Sequence, residues 1–479
     1  MELRKKILLI YAPSGAYIRE DRCQTPVEDL RTVALRPPID LLYIAAAMEQ
    51  ADCLCQIVDY PLENKSWDDL KEDIDNISPD ILVISATTPS LSKDMMAVDI
   101  AKKLKPHILT IAKGAHFNIL DVDTLERFPN LDLVSRGEYE LTFKDIGEGK
   151  SLSDIKGITF RNTNGTIVRN PDREYADDLD AIPFPARHLI DNTKYIRPDN
   201  EQPQTTIVTN RGCPFECIFC LSGQVSGLKN RMRSVANIIA EIEECVQKHN
   251  IKNFLFRSDL FTANKKWVSD LCNEIIKRNL PIEWACNSRV DTIDDELLAL
   301  MKKANCWMIA FGVETGNPEM LKKIGKKTDL DKALIAIKMA KKAGIRSSIY
   351  FLIGLPWDNE TTLQDNINFA KKASPDIVEF FYVYPFPGTQ LYQTAQDEGL
   401  LKPNEIPLEA YSQPAMNTLF MTKDQLISWR NKSLKAYYLR PSVVFRTLFH
   451  ARSLKELKNY IKFGCYQLAD FFKKPRGKK

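Results

Sequence analysis

At 479 residues, with 44% apolar and 27% charged residues, the chain has the composition of a soluble globular protein too long for one ordinary core, so two or three domains are expected. A formal net charge of +3 argues neither for nor against nucleic acid, and no apolar run of about eighteen residues, the length a membrane span needs, interrupts the sequence. The eleven cysteines sit on a chain whose start, Met1-Glu-Leu-Arg-Lys-Lys-Ile, is no signal-peptide core, which excludes a disulfide framework and predicts reduced thiols or metal ligands in the cytoplasm.

Residues 1–150 alternate short apolar runs with amphipathic stretches. The runs are Ile7–Ile10, Cys53–Val58, Ile81–Ile84, Ile108–Ile111 and Leu131–Val134, with helical patterns near 39–51, 66–76, 91–104 and 138–147. Near-continuous apolar strands separated by helices predict a doubly wound parallel sheet, whose ligand site lies beyond the carboxyl ends of the strands. Those ends carry Tyr11-Ala-Pro-Ser-Gly15, Ser85-Ala-Thr-Thr88 and Lys113-Gly-Ala-His116. From 151 to 204 the texture changes to a hairpin around Asn164-Gly165, then an acidic linker punctuated by prolines, Asp177-Asp-Leu-Asp-Ala-Ile-Pro-Phe-Pro185.

Six strand–helix repeats follow over 205–400, with strands predicted at Thr205–Thr209, Asn253–Phe256, Ile282–Ala285, Trp307–Phe311, Arg346–Ile353 and Ile377–Tyr384. They predict a partial (β/α)6 barrel of TIM type with its site at the carboxyl ends of the strands. The first strand runs into Arg211-Gly-Cys-Pro-Phe-Glu-Cys-Ile-Phe-Cys220, a Cys-x3-Cys-x2-Cys array. Three thiolates hold a four-iron, four-sulfur cluster and leave its fourth iron open. The rival, a zinc knot, wants a fourth Cys or His close by, and none lies within the next two dozen or so residues. The remaining cysteines are scattered and read as small core residues, so one cluster is expected and no second.

Residues 401–479 form a helical C-terminal region, with patterns at 423–439, 441–450 and 453–472, frequent aromatics, few acids and the ending Lys473-Lys-Pro-Arg-Gly-Lys-Lys479. A helical cap over the barrel and a peripheral membrane contact through basic, aromatic helices are the two readings.

The cysteine array resembles that of the radical S-adenosylmethionine (SAM) superfamily. The order of Arg36-Pro-Pro-Ile-Asp-Leu-Leu-Tyr-Ile44, Ser85-Ala-Thr-Thr88, Gly114-Ala-His116 and Arg136-Gly-Glu-Tyr-Glu140 resembles the cobalamin-binding domain that precedes many of its barrels. The resemblance implies Cys213, Cys217 and Cys220 as ligands of a 4Fe-4S cluster. It implies Phe219 beside the adenine of SAM, with Asp259, Arg289, Gly312, Glu314 and Gly354 at the strand ends around SAM. It implies Ser85, Thr87, Gly114 and His116 along the channel for the cobalamin nucleotide tail. Departures are the missing Asp-x-His-x-x-Gly signature, Lys113-Gly114 in place of Gly-Gly, the loss of one of two adjacent acids at Ser258-Asp259, and Trp357-Asp358 in place of Gly-Glu.

The implied activity is reductive cleavage of SAM and hydrogen abstraction from an unactivated carbon, with cobalamin-dependent methyl transfer and with an electron from a reductase such as flavodoxin or ferredoxin. The substrate is expected to be a small or lipid-like molecule, with no nucleic acid partner. A cyclising, ring-contracting or oxidising radical enzyme, with or without cobalamin, is the alternative, followed by a tRNA methylthiotransferase-like enzyme and a non-catalytic cobalamin sensor.

Overall fold

The computed structural model describes residues 4–20, 23–26, 35–407 and 413–471. In chain order the strands are β1 (Lys6–Tyr11), β2 (Tyr17–Glu20), β3 (Cys23–Pro26), β4 (Leu54–Asp59), β5 (Ile81–Ser85), β6 (Leu109–Lys113), β7 (Leu133–Ser135), β8 (Ile158–Arg161) and β9 (Ile167–Arg169). Strands β4-β1-β5-β6-β7 lie parallel, and β8 and β9 extend the sheet antiparallel. The expected doubly wound sheet is present, with its chain reversal between β1 and β5, where such sheets open a ligand crevice. The hairpin around Asn164-Gly165 is part of this sheet, because Phe160 and Thr159 pair with Leu133 and Val134. The small hairpin β2–β3 has no alternating pattern, and the sequence gives no warning of it.

Helix Ile39–Glu49 is buried along nearly its whole length. A helix apolar on every face needs cover on both sides. The sheet covers one, and the connector covers the other, since Leu179, Ile182 and Ala186 share its core and Ala186 N–H donates to Leu42 O at 3.0 Å. The acidic segment read as a linker is therefore a packed layer.

The barrel strands are β10 (Gln204–Val208), β13 (Asn253–Arg257), β14 (Glu283–Ser288), β15 (Cys306–Glu314), β16 (Arg346–Ile353) and β17 (Ile377–Tyr382), parallel and in sequential order. Two-residue strands β11 (Asn210–Arg211) and β12 (Arg231–Met232) bracket the cysteine loop. Each predicted barrel helix starts on a side-chain cap: Ser234, Asn264, Asp294, Asp329 and Asn359 accept a backbone N–H of the first turn. Helices Lys423–Tyr438, Pro441–Phe449 and Leu454–Phe471 follow the barrel. Tyr438 O–H donates to Val378 O at 2.8 Å on β17, so the first of them closes the open edge of the sheet. Among the described residues no helix is long and apolar enough to cross a membrane.

Candidate active site

The cysteine loop leaves β11 at Gly212, whose φ of +89° and position 2.0 Å, measured from an added Cβ, from Lys229 O admit only glycine. Gly212 N–H donates to Asp259 Oδ2 at 2.6 Å, Cys213 N–H to Gly227 O at 3.1 Å, and Ile218 N–H to Ile324 O at 3.2 Å. Asp259, the one acid kept after β13, thus holds the loop from beneath. All three thiols are partly exposed and line one cavity. Burial pushes the Cys217 thiol up to about 11, so a metal binding there displaces its proton. Among the described residues no three Cys, His, Asp or Glu side chains converge as they would on one ion. Three thiols on one loop, all opening onto the same cavity, are the donor set of a four-iron cluster that keeps one iron open.

That cavity, about 1420 Å³, is also lined by Phe219, Asp259, Arg289 and Glu314, and it extends to Ile18, Glu20 and Arg36 of the N-terminal domain. It exceeds the roughly 300–1,000 Å³ of an ordinary small-molecule pocket. Glu314 ends β15 at a register shift with φ +69°, and its Oε1 accepts from Lys326 Nζ at 2.8 Å. Burial lowers the Lys326 ammonium, but the Glu314 carboxylate outweighs it and the net shift is upward. Gly312 makes this fold-back fit, since a Cβ there would lie 2.3 Å from Glu314 Oε1. Arg289 reaches the cavity with its fork already engaged: Nε and Nη2 donate to the Asp291 carboxylate at 2.9 and 2.7 Å, and the guanidinium lies 3.9 Å over the Phe215 ring. Gly354 is off the cavity wall; its N–H donates to Asp358 Oδ2 at 2.9 Å, and burial pushes the Asp358 carboxyl up to about 6. Asp358 also accepts from Leu355 N–H and Thr362 Oγ1, so it locks the loop in which Trp357-Asp358 departs from the expected pattern.

At the N-terminal sheet, Gly114 has φ +149°, and a Cβ there would meet Ala86 O at 2.1 Å, so the β5 and β6 turns touch. Ser85 Oγ and Lys113 Nζ each donate to Asp40 Oδ2 at 2.6 Å, and Tyr11 O–H donates to Asp40 Oδ1 at 2.8 Å. Burial alone would raise the Asp40 carboxyl, but Lys113 and these hydrogen bonds hold it below its usual value. Lys113 therefore stands in the expected glycine position as the counter-charge of a buried aspartate. Thr87 Oγ1 shares a hydrogen bond with Ser90 Oγ at 2.6 Å, and His116 Nδ1 one with Thr88 Oγ1 at 3.2 Å. Burial pulls the His116 imidazole down to about 4, so it is neutral. Ser85, Thr87, Gly114 and His116 lie at the turns after β5 and β6, and none lines the cavity.

Comparison with known proteins adds two matches: the Radical SAM superfamily over residues 207–370 and a B12 binding domain over residues 33–147. An uncharacterized methyltransferase of Pyrococcus horikoshii is 31% identical over 449 residues, covering 93% of this chain and 95% of that protein. The chain belongs to the cobalamin-binding radical SAM family. An anaerobic magnesium-protoporphyrin IX monomethyl ester cyclase of Rubrivivax gelatinosus is 29% identical, over 76% of this chain and 67% of the relative. In fold the chain is similar to the cobalamin-dependent SAM radical enzyme OxsB with aqua-cobalamin bound, at TM-score 0.74 and 16% identity, covering 98% of this chain and 72% of that one. As a member of the radical SAM family the protein is an enzyme whose cofactors are a 4Fe-4S cluster, SAM and cobalamin. The cavity wall fits the first two. On the N-terminal side the same cavity is lined by Ile18, Glu20 and Arg36, and the glycine-dependent approach of the β5 and β6 turns lies apart from it.

Several residues with structural claims on the site escaped the sequence reading. Lys326 follows a helix with no motif around it. Glu138 and Glu140 lie in the quoted Arg136-Gly-Glu-Tyr-Glu140 segment, but only the structure shows Glu138 clasping Arg231 at 2.6 and 2.9 Å and Glu140 gripping Arg211, the residue that begins the cysteine loop. Glu379 points into the barrel from β17 and lines the cavity.

Proposed function

We propose that the protein is a cobalamin-dependent radical SAM C-methyltransferase that methylates an unactivated carbon of a small molecule with a large apolar body. A single observation carries this: the thiols of the cysteine loop, the Glu314–Lys326 pair, and Ile18, Glu20 and Arg36 of the N-terminal domain open onto one cavity. In this reading the bound cluster supplies the electron that splits SAM, and cobalamin carries the methyl group. Cys213, Cys217 and Cys220 hold the cluster, Asp259 fixes their loop, Phe219 packs against the adenine, and Lys326 and Arg289 take the SAM carboxylate while Glu314 meets its amino or ribose end. Ser85, Thr87, Gly114 and His116 belong to the cobalamin tail site, which requires the bonds of Ser85 to Asp40, Thr87 to Ser90 and His116 to Thr88 to exchange for bonds to the cofactor. The apolar walls of the cavity keep water from the reacting carbon, and a cytoplasmic flavodoxin or ferredoxin is the electron source. The methyltransferase names of relatives support methyl transfer, and the cyclase among them supplies the competing outcome.

The test is anaerobic reconstitution with iron, sulfide and SAM under dithionite, with and without cobalamin. Methyl transfer predicts 5'-deoxyadenosine together with S-adenosylhomocysteine, the second only when cobalamin is present. 5'-Deoxyadenosine unaccompanied by S-adenosylhomocysteine in both samples overturns methyl transfer in favour of cyclisation or oxidation.

A further inference from the structure

The cavity does not end beneath the cysteine loop. Arg346 and Leu352 both line it, six residues apart on β16, and so do Asn253 and Arg257 on β13. At about 3.3 Å per residue it therefore follows the strands for roughly 20 Å, to the amino-terminal end of the barrel. There its walls are the C-terminal helices, through Tyr438, Val443, Leu448 and Phe463. Leu439, Val444 and Ile461 line the cavity and are also about half exposed, so they form the rim of a second mouth at the end opposite the cysteines.

Beyond that rim the same helices carry apolar side chains that no part of the described chain covers. Phe445 is 62% and Phe449 86% exposed, one turn apart on helix Pro441–Phe449, and Leu454 at the start of the next helix is 79% exposed. Single exposed apolar residues are ordinary; several large ones around a mouth mark a contact surface. The charge on these helices is mostly positive. Arg440, Arg446, Arg452, Lys455, Lys458 and Lys462 face one acid, Glu456, over residues 440–462. Arg446, Arg452 and Lys455 are tied to Asp376, Glu283 and Glu201 of the body, and the half-buried Arg440 lies over the Tyr437 ring, while the exposed Lys458 and Lys462 make no salt bridge among the described residues. Aromatic and aliphatic side chains flanked by unpaired cations are the complement of an anionic lipid surface, where the rings enter the interface and the cations meet the headgroups.

We propose that the helices Pro441–Phe449 and Leu454–Phe471 seat the enzyme on an anionic membrane, so that the second mouth opens toward lipid. Resting on the function proposed above, the substrate is then an extended apolar molecule that enters the barrel from the bilayer and reaches the cysteine end with its reacting carbon. A second copy of the chain is the competing occupant of the patch.

The test floats the full-length reconstituted protein with vesicles of phosphatidylglycerol and phosphatidylethanolamine, and in parallel with pure phosphatidylcholine vesicles. The wild type is expected to rise with the anionic vesicles and not with the zwitterionic ones. Phe445→Ser combined with Phe449→Ser removes two exposed rings that line no part of the cavity. With both rings gone, anionic-vesicle partitioning is expected to fall at least tenfold while the visible absorbance of the cluster stays unchanged. Wild type left in the soluble fraction, equal flotation of wild type and variant, or equal binding to both vesicle types overturns the proposal. So does a wild-type dimer that the double substitution converts to monomer. Formation of 5'-deoxyadenosine is measured on the same samples; its absence sinks the radical reading without bearing on flotation, and a protein that makes it and fails to float loses only the membrane.

Discussion

Lys326 and Glu314 show how one side chain makes another usable. A carboxylate at the end of a buried strand needs a counter-charge, and Lys326 supplies it at 2.8 Å with both side chains 11% exposed. Lys326→Met leaves Glu314 uncompensated and is expected to cost about 3 kcal/mol of stability, as the loss of one partner of a buried pair does, and to weaken SAM binding at least tenfold by calorimetry. Unchanged affinity would remove Lys326 from the SAM site. Glu379 makes the complementary case, because its cations only partly compensate it. Burial pushes its carboxyl up to about 7, with Arg36 and Arg430 pulling the other way. Its ordinary value is 4.5, so the folded chain keeps a proton that the unfolded chain has released between those values. The stability that comes with neutral Glu379 is complete below the unfolded value and is lost as pH rises through about 7, by up to roughly 3 kcal/mol. Glu379→Gln is expected to flatten the fall in urea-unfolding free energy across that window relative to the wild type; parallel curves would show that Glu379 is not held neutral.

The cysteine loop owes its position to partners far away in the chain. Arg211 before it and Arg231 after it are clasped by Glu140 and Glu138 of the B12 domain, and the Arg211–Glu140 contact spans 71 positions. Glu140→Gln is expected to cost about 3–5 kcal/mol and to speed bleaching of the cluster in air, followed by its visible absorbance, because the loop loses its anchor as well as an ion pair. Bleaching at the wild-type rate would separate the anchor from the loop. This contact also shows where reading the sequence succeeds and where it stops. Cys213, Cys217 and Cys220 announce themselves because their chemistry is written in local spacing, and the barrel strands because each is a short apolar run with a capped helix behind it. Gly312 and Gly114 are visible as glycines, but the atoms that demand them, Glu314 Oε1 and Ala86 O, are visible only in the fold. Lys113 looks like a defect in a glycine turn until Asp40 is found beneath it. The pairings of Glu138, Glu140 and Lys326 have no local signature at all, since they are set by how the domains and strand ends meet.

At the scale of the molecule, the connector decides whether the B12 domain and the barrel behave as one body. A proline-punctuated tether would let the cavity between them open and close freely, and each domain would unfold by itself. Instead Leu179, Ile182 and Ala186 enter the core of the B12 domain, Arg187 of the same segment bonds Glu241 of the barrel at 2.6 Å, and Tyr195 O–H reaches Asp59 at 3.1 Å. The segment is thus fastened on both sides within a few residues, and the ion pairs of Arg187 and Arg231 are buried, and that of Arg211 nearly so, where salt screens little. A single calorimetric transition is expected, and it is expected to stay single when salt is raised. Ile182→Ala removes part of that packing and is expected to cost about 2–5 kcal/mol, lowering the urea midpoint of N-terminal and barrel probes together. Two transitions in the wild type, or an Ile182→Ala variant in which only the N-terminal domain is destabilised, would mean that the connector is a tether and that the cavity shared by the two cofactor-binding domains is free to gape.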